Sequence, residues 1–248
     1  MVFEPRIYRC NMNRQRFRYF NVVEKETDLW IGVTNASFHH ELIAFCEEKV
    51  IHYREQVENC IKQYPEFGRS FKPLPPKTDF PEMVVEMTKA AIQSGTGPMS
   101  AVAGAIAEAV GNDILKLYSP EEVLIENGGD IFVNIKNDLL VKFYAGRNHN
   151  FSNLAINIPG KCGKLGICTS SGMFGHSFSY GLADSVTVVC KSATLADAWA
   201  TSICNRVKNN TCIKDLTKEY QNIPEILSLV IVKDEEMGIA GEFELKMI

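Results

Sequence analysis

Apolar residues recur at two spacings along this chain, and the switches between them divide it into strands and helices. Arg16 to Val23 and Thr27 to Val33 are rich in aromatic and β-branched residues around a short charged turn, which predicts a hairpin. From Phe38 to Tyr64, Leu42, Ile43, Cys46, Val50, Tyr53, Val57, Cys60 and Ile61 fall at helical spacing, with Ser37 as the expected N-cap. Residues 65–79 hold Pro65, Pro73, Pro75 and Pro76 and read as a loop. A second helix is expected from Asp79, where Asp79 and Glu82 match a capping box with Pro81 in the first turn; it stops at Gly95-Thr96-Gly97-Pro98. A third, Met99 to Tyr118, carries Ala101, Ala103, Gly104, Ala105, Ala107 and Ala109, small enough to let another backbone approach closely.

The remainder is strand-dominated. Short apolar runs at Val123 to Glu126, Ile131 to Ile135, Leu139 to Tyr144, Leu154 to Ile158, Lys164 to Cys168 and Ser185 to Cys190 are separated by turn signals. A helix is expected over Leu195 to Arg206, then a closing hairpin of Ile226 to Val232 and Phe243 to Met247. Strands outnumber β-α-β alternations, which predicts an α+β fold with largely antiparallel sheets and packed helices, residues 1–248 forming a single domain with the 65–79 loop inside it.

Composition narrows the function classes. The chain has 248 residues, 46% hydrophobic and 23% charged, which is ordinary for a globular protein. A net charge of −4 gives no global attraction for nucleic acid or anionic lipid. Arg6, Arg9, Arg14, Arg16 and Arg18 alternate with apolar residues, as on an edge strand. No apolar run reaches membrane-spanning length, and residues 1–20 do not read as a signal peptide. Eight scattered cysteines without a C-x-x-C pair point to free thiols in a reducing, cytoplasmic compartment. A possible homo-oligomer is left open.

Several segments carry candidate chemistry. Asn127-Gly128-Gly129-Asp130 lies between two strand-like runs; it is either a plain hairpin turn or a turn that brings backbone close to a phosphate or flavin, with Asp130 holding a ligand hydroxyl. Asp197 and Thr201 stand at i and i+4 on one helix face and form a hard oxygen pair suited to Mg²⁺. The competing reading makes Thr194 and Asp197 a capping box. Thr169, Ser170 and Ser171, followed by glycines and His176, suit phosphate binding, with His176 as a proton-transfer group and Asp184 as its acidic partner or a turn residue. Arg147 is a candidate anion clamp. Cys162 and Cys168 are a candidate thiol pair.

Together these motifs resemble the ApbE-like superfamily of flavin transferases. The Gly128-Gly129-Asp130 turn resembles its Asn-x-Gly-Gly-Asp element, Thr169-Ser170 its Thr-Ser-Gly element, and Ala196-Asp197-Ala198 with Thr201 its Ala-Asp-Ala-x-x-Thr metal element. Glu26-Thr27-Asp28-Leu29, Met99 through Glu108, Gly175 through Ser179 and Gly181-Leu182-Ala183-Asp184 resemble a cytosolic branch of that superfamily. The resemblance implies an α+β fold, Mg²⁺ held by Asp197, Thr201 and a carbonyl near Ala103, and FAD or FMN as ligand. It also implies cleavage of FAD with transfer of FMN to a protein hydroxyl. Two elements depart. Where the transferases carry Asp-Leu-Gly-Gly-x-Ala-Lys-Gly, this chain has Ala101 through Glu108, without the lysine and with an acid near its place. Their His-x-Ile-x-Asp-Pro-x-x-Gly segment has no counterpart beyond His176 as a loose stand-in. The sequence therefore admits three functions. They are a Mg²⁺-dependent transferase or hydrolase acting on FAD or another nucleotide diphosphate, a non-catalytic flavin or nucleotide binding module, and a thiol-dependent sulfur-handling factor.

Overall fold

A computed structural model describes residues 15–143, 151–172, 181–208 and 212–248. Among the described residues, eleven strands and five α-helices form an α+β architecture. β1 (Phe17–Glu24), β2 (Thr27–Thr34), β3 (Val123–Asn127), β4 (Asp130–Ile135), β7 (Gly163–Ser170), β8 (Ser185–Cys190), β9 (Ser228–Lys233) and β10 (Glu236–Gly241) make one sheet, neighbouring in that order. Every neighbouring pair is antiparallel. β5 (Leu139–Lys142) and β6 (Leu154–Ile158), inserted between β4 and β7, pair with β11 (Leu245–Met247) in a smaller sheet.

The pleat of the large sheet sorts the core into two halves. On β4, Phe132 faces the helices α1 (Glu41–Gln63), α2 (Glu82–Ser94), α3 (Val102–Tyr118) and α4 (Ala193–Arg206). Val133 and Ile135 face the smaller sheet, with Ile156, Ile158, Leu165 and Ile167. This strict period of two on a sheet buried on both faces explains why β3, β8 and β9 read as continuous apolar runs.

α4 lies against β7 and β8 and is flanked by α2 and α3, so ten of its fourteen residues are buried. Two glycines permit that depth. A Cβ on Gly104 of α3 would stand 2.3 Å from the Ala193 carbonyl oxygen, and one on Gly166 of β7 would stand 2.2 Å from the Ala193 Cα. The small-residue face of α3 thus serves as the seat of another helix. Gly166→Ala is expected to lower stability by about 1–3 kcal/mol, because its methyl meets backbone and not a movable side chain; urea unfolding measures it.

Several sequence expectations need correction. The closing hairpin is β9 with β10, turning at Asp234 with φ 53°, whereas β11 leaves it to pair with β6. β10 escaped notice because its two glycines and Glu236 break the alternation; it is an edge strand, where apolar patterning is relaxed. α5 (Ile213–Tyr220) was also not expected, although its buried Ile213, Leu216, Thr217 and Tyr220 follow helical spacing. Ser37 does not cap α1, which begins at Glu41; its hydroxyl accepts from the Glu121 amide. Asp79 does not box with Glu82, since its carboxylate accepts from Tyr64 and Gln63. α3 begins at Val102, after a 3₁₀ turn over Pro98–Ala101. Between Gln63 and Glu82 there is no helix or strand, as the prolines predict, and Phe67 pins that loop to the core. Among the described residues, no helix is long and apolar enough to cross a membrane.

Candidate functional site

The site is built where the β3–β4 turn meets the first turns of α3 and α4. Asn127 pairs with Asp130 across a two-residue turn, and Gly128 and Gly129 adopt φ of 68° and 104°, the pair of positive values a primed hairpin needs. Glu126, itself buried, accepts the Gly129 amide at 2.7 Å. Asn127 donates its side-chain amide to the Ala103 carbonyl at 3.0 Å, tying the turn to α3. One residue on, the Gly104 N–H donates to Asp197 Oδ2 at 2.9 Å, tying α3 to α4.

Asp130, on β4, faces the helices as Phe132 does, and its neighbour across the ladder is Cys168 of β7. Asp130 and Asp197 are 6% and 7% exposed, and each charge bears on the other. Burial pushes Asp130 well above the usual carboxylate range, and the Asp197 charge pushes the same way. Burial likewise lifts Asp197 to about 7, against the pull of the Gly104 and Ala103 amides. Thr201, one turn along α4, is 7% exposed.

The remaining candidates divide. Ser170 points to the helix side of β7, as Cys168 does; its hydroxyl is buried and has no hydrogen-bond partner. Thr169 faces away and shares a hydrogen bond with Thr187 at 2.8 Å, so only its backbone belongs to the site side. Ser171 follows the strand end. Asp184 lies just before β8, and its carboxylate accepts from the Asp234 amide at 2.6 Å in the β9–β10 turn. His176 and Arg147 lie outside the described residues. Cys162 immediately precedes β7 and Cys168 lies within it, about 20 Å apart at strand rise, far beyond disulfide reach. Burial and the Asp130 charge hold the Cys168 thiol well above its ordinary value, which opposes a reactive thiolate.

A family model described as AbpE bacteria matches residues 9–222. The chain belongs to the AbpE bacteria family. A UPF0280 protein of Methanocaldococcus jannaschii is 33% identical over 89% of both chains, and one of Methanococcus vannielii is 36% identical over 88% of both. Among solved structures, the apo flavinyl transferase ApbE of Pseudomonas stutzeri superposes with a TM-score of 0.58 at 12% identity, covering 93% of this chain and 96% of that one. The flavin transferase ApbE of Vibrio cholerae gives 0.60 at 13% identity with the same coverage. At such identity these two establish a shared ApbE-like fold.

In this AbpE family member, the α4 start differs from the expected capping box. Ser192 is the N-cap, its hydroxyl accepting from the Leu195 amide at 3.2 Å, and the helix begins at Ala193. Thr194 does not pair with Asp197. Its amide and hydroxyl both donate to Glu108 Oε2, at 2.9 and 2.8 Å, and the Ser192 hydroxyl donates to the same oxygen at 2.7 Å. Glu108 is the acid that stands near the place of the transferases' lysine, and sequence reading assigned it no role. Its partners lie 84 and 86 residues away, so nothing local announces them. Glu126 was likewise missed, though a lone carboxylate inside the apolar run Val123–Asn127 is a legible sign of a buried, bonded acid.

The donor chemistry fits a hard divalent cation. Asp197, Asp130 and Thr201 offer oxygen, the carboxylates crowd one another in a buried setting, and the Ala103 carbonyl is adjacent through Gly104. No cluster of three or more His, Cys, Asp or Glu suited to a metal occurs among the described residues.

The raised acids have a measurable signature. Between pH about 4 and 7 the folded chain retains a proton on Asp197 that the unfolded chain, with a value near 3.8, releases. Metal-free stability therefore falls as pH rises through that window. Urea midpoints measured across it in chelator are expected to show the decline, and Asp197→Asn to lessen it, Asp130, also raised by burial, supplying the remainder.

Proposed function

We propose that this protein is a Mg²⁺-dependent transferase or hydrolase acting on the diphosphate of FAD or a related nucleotide. The observation carrying this reading is the pair of buried, mutually repelling carboxylates, Asp197 and Asp130, beside a glycine turn and the unpartnered Ser170 hydroxyl. Crowded like charges favour a cation between them and a polyanion through that cation.

In this reading Asp197 and Thr201 hold Mg²⁺ with the Ala103 carbonyl. When bound, the metal would neutralise charge on the diphosphate. The Asn127–Asp130 turn orients the ligand: Asn127 is locked to α3, Gly128 and Gly129 admit close backbone approach, and Asp130 offers an acceptor to a ligand hydroxyl. Ser170 donates to ligand oxygens, with the strand end at Thr169 and Ser171 beside it. Arg147 and His176 are assigned anion clamping and proton transfer. The printed titles of the structural neighbours, flavin transferases, support flavin as the first ligand to try. Seven free cysteines among the described residues suit a cytoplasmic setting.

The test is calorimetry of the purified chain with FAD, with and without Mg²⁺, followed by mass analysis. Mg²⁺-dependent binding with AMP release supports the enzyme. Binding without AMP release supports a second reading, a flavin or nucleotide binding module. That reading is favoured by the absence of the lysine and the commitment of Glu108 to α4. Absence of binding removes flavin from the account. The thiol-dependent alternative draws nothing from a buried Cys168 whose thiolate is disfavoured.

A further inference from the structure

We infer that Glu108 is a positioning residue for the candidate metal site: from α3 it holds the first turn of α4, and so fixes where Asp197 stands relative to the Ala103 carbonyl. The inference rests on the metal reading proposed above and adds a residue that the motifs do not single out.

The geometry is reciprocal. The first turn of any helix leaves amides without intrahelical acceptors, and a carboxylate there is doubly favoured by hydrogen bonding and by the helix dipole. Asp197, carried by α4, accepts the Gly104 amide in the first turn of α3. Glu108, carried by α3, accepts the Thr194 amide in the first turn of α4, together with the Ser192 and Thr194 hydroxyls. Each helix thus supplies the acid that the other's start requires. Gly104 and Glu108 are one turn apart on α3, and Thr194 and Asp197 three residues apart on α4, so the two bonds close a ring around the crossing. That crossing is already as tight as backbones allow at Gly104 and Ala193.

A closed ring opposes two motions, sliding of α4 along α3 and rotation of α4 about its own axis. With Glu108 removed, the Asp197–Gly104 bond would be left as the side-chain bond joining the starts of α3 and α4 among the described residues, and Asp197 would become a tether in place of a fixed ligand. Mg²⁺ demands near-octahedral geometry at short range, so slight freedom at a ligand lowers affinity. Glu108 Oε2 accepts from all three donors and is directed at α4, which gives the residue its task at that helix start.

The experiment uses the full chain as Glu108→Ala, Glu108→Gln and, as a control at another side-chain bond to α3, Tyr53→Phe on α1, which removes the Tyr53–Asp113 hydrogen bond. Amide hydrogen exchange is followed on metal-free samples, and Mn²⁺ binding is read by electron paramagnetic resonance on the same preparations. Glu108→Ala is expected to speed Gly104 amide exchange and to weaken Mn²⁺ binding by roughly 10-fold or more, while Ile125 and Ile231 in the sheet exchange as before. Glu108→Gln, whose amide oxygen still accepts from Thr194, should recover much of both, and Tyr53→Phe should change neither. Unchanged Gly104 exchange in Glu108→Ala overturns the inference. So does acceleration shared equally by Ile125 and Ile231, which would mark a general loss of stability, and so does faster Gly104 exchange with undiminished Mn²⁺ affinity. If the unaltered chain binds no Mn²⁺, the metal reading fails by itself, and Gly104 exchange alone then upholds or overturns the link from Glu108 to Asp197.

Discussion

Asp197→Ala is expected to reduce Mg²⁺ affinity by more than about 100-fold, since loss of an anionic ligand should exceed the 10–100-fold typical of its supporting partners. The same substitution is expected to leave the metal-free chain folded, and at neutral pH at least as stable as before. Two effects oppose each other there. The Gly104 amide loses its acceptor, which destabilises the start of α3 by about 1 kcal/mol. Against that, the substitution removes a buried acid crowded by Asp130, whose ionised form burial disfavours. Calorimetric titration with Mg²⁺ and a urea curve on one preparation separate the outcomes. Retained metal affinity would sink the assignment of Asp197. Lost affinity together with a collapsed structure would make it a helix cap first, and would remove the strongest support for the proposed chemistry.

Arg16→Ala should cost about 3–5 kcal/mol, the penalty of stranding a buried carboxylate. Glu122, 1% exposed, meets the Arg16 guanidinium through two bonds of 2.7 and 2.6 Å and accepts the Lys136 and Asn137 amides. Arg16 also donates to the carbonyls of Asn137 and Asp138, so one side chain joins the start of β1 to the β4–β5 turn. Burial alone would raise the Glu122 acid; Arg16 and the two amides outweigh it and hold the group near 2, below its ordinary 4.5. The sign is opposite to that of Asp197. Glu122 stabilises the fold fully above its unfolded value, and this contribution fades as pH falls from about 4.5 toward 2. Acid unfolding of Arg16→Ala should therefore begin at higher pH than in the unaltered chain. Identical acid midpoints would contradict the account.

What could be read in the sequence and what could not follow from the range of each interaction. Asp197 and Thr201 announce a shared face because helix period converts spacing into geometry, and both are buried as that face is. The Asn127–Asp130 turn was equally legible, since paired glycines between strands leave few conformations open. The small face of α3 gave away a close approach, though not that Ala193 is what approaches. Partners far along the chain were invisible. Glu108 looked like a substitution against the transferase pattern because its meaning lies in Ser192 and Thr194. β11 was joined to the wrong partner because a three-residue strand carries no record of which sheet it completes. Thr169 was grouped with Ser170 by sequence, yet the two-residue pleat turns them to opposite faces. The bond from the Asp234 amide to Asp184 is another such long-range partner, 50 residues on.

The packing of α4 also equips the protein with an optical gauge. Of its two tryptophans, Trp199 lies on α4 between Asp197 and Thr201 in sequence, buried, with its indole edge-on to Tyr220 at 5.8 Å and its N–H without an acceptor. The other, Trp30, stacks on Tyr19 near the β1 edge of the sheet. Replacing Trp30 with phenylalanine would leave one emitter, riding on the helix that carries the candidate ligands and shielded from water. Its emission should be blue-shifted at rest, and any cation or nucleotide that tightens or displaces α4 would alter its intensity. Occupancy could then be followed in real time without label or coupled reaction.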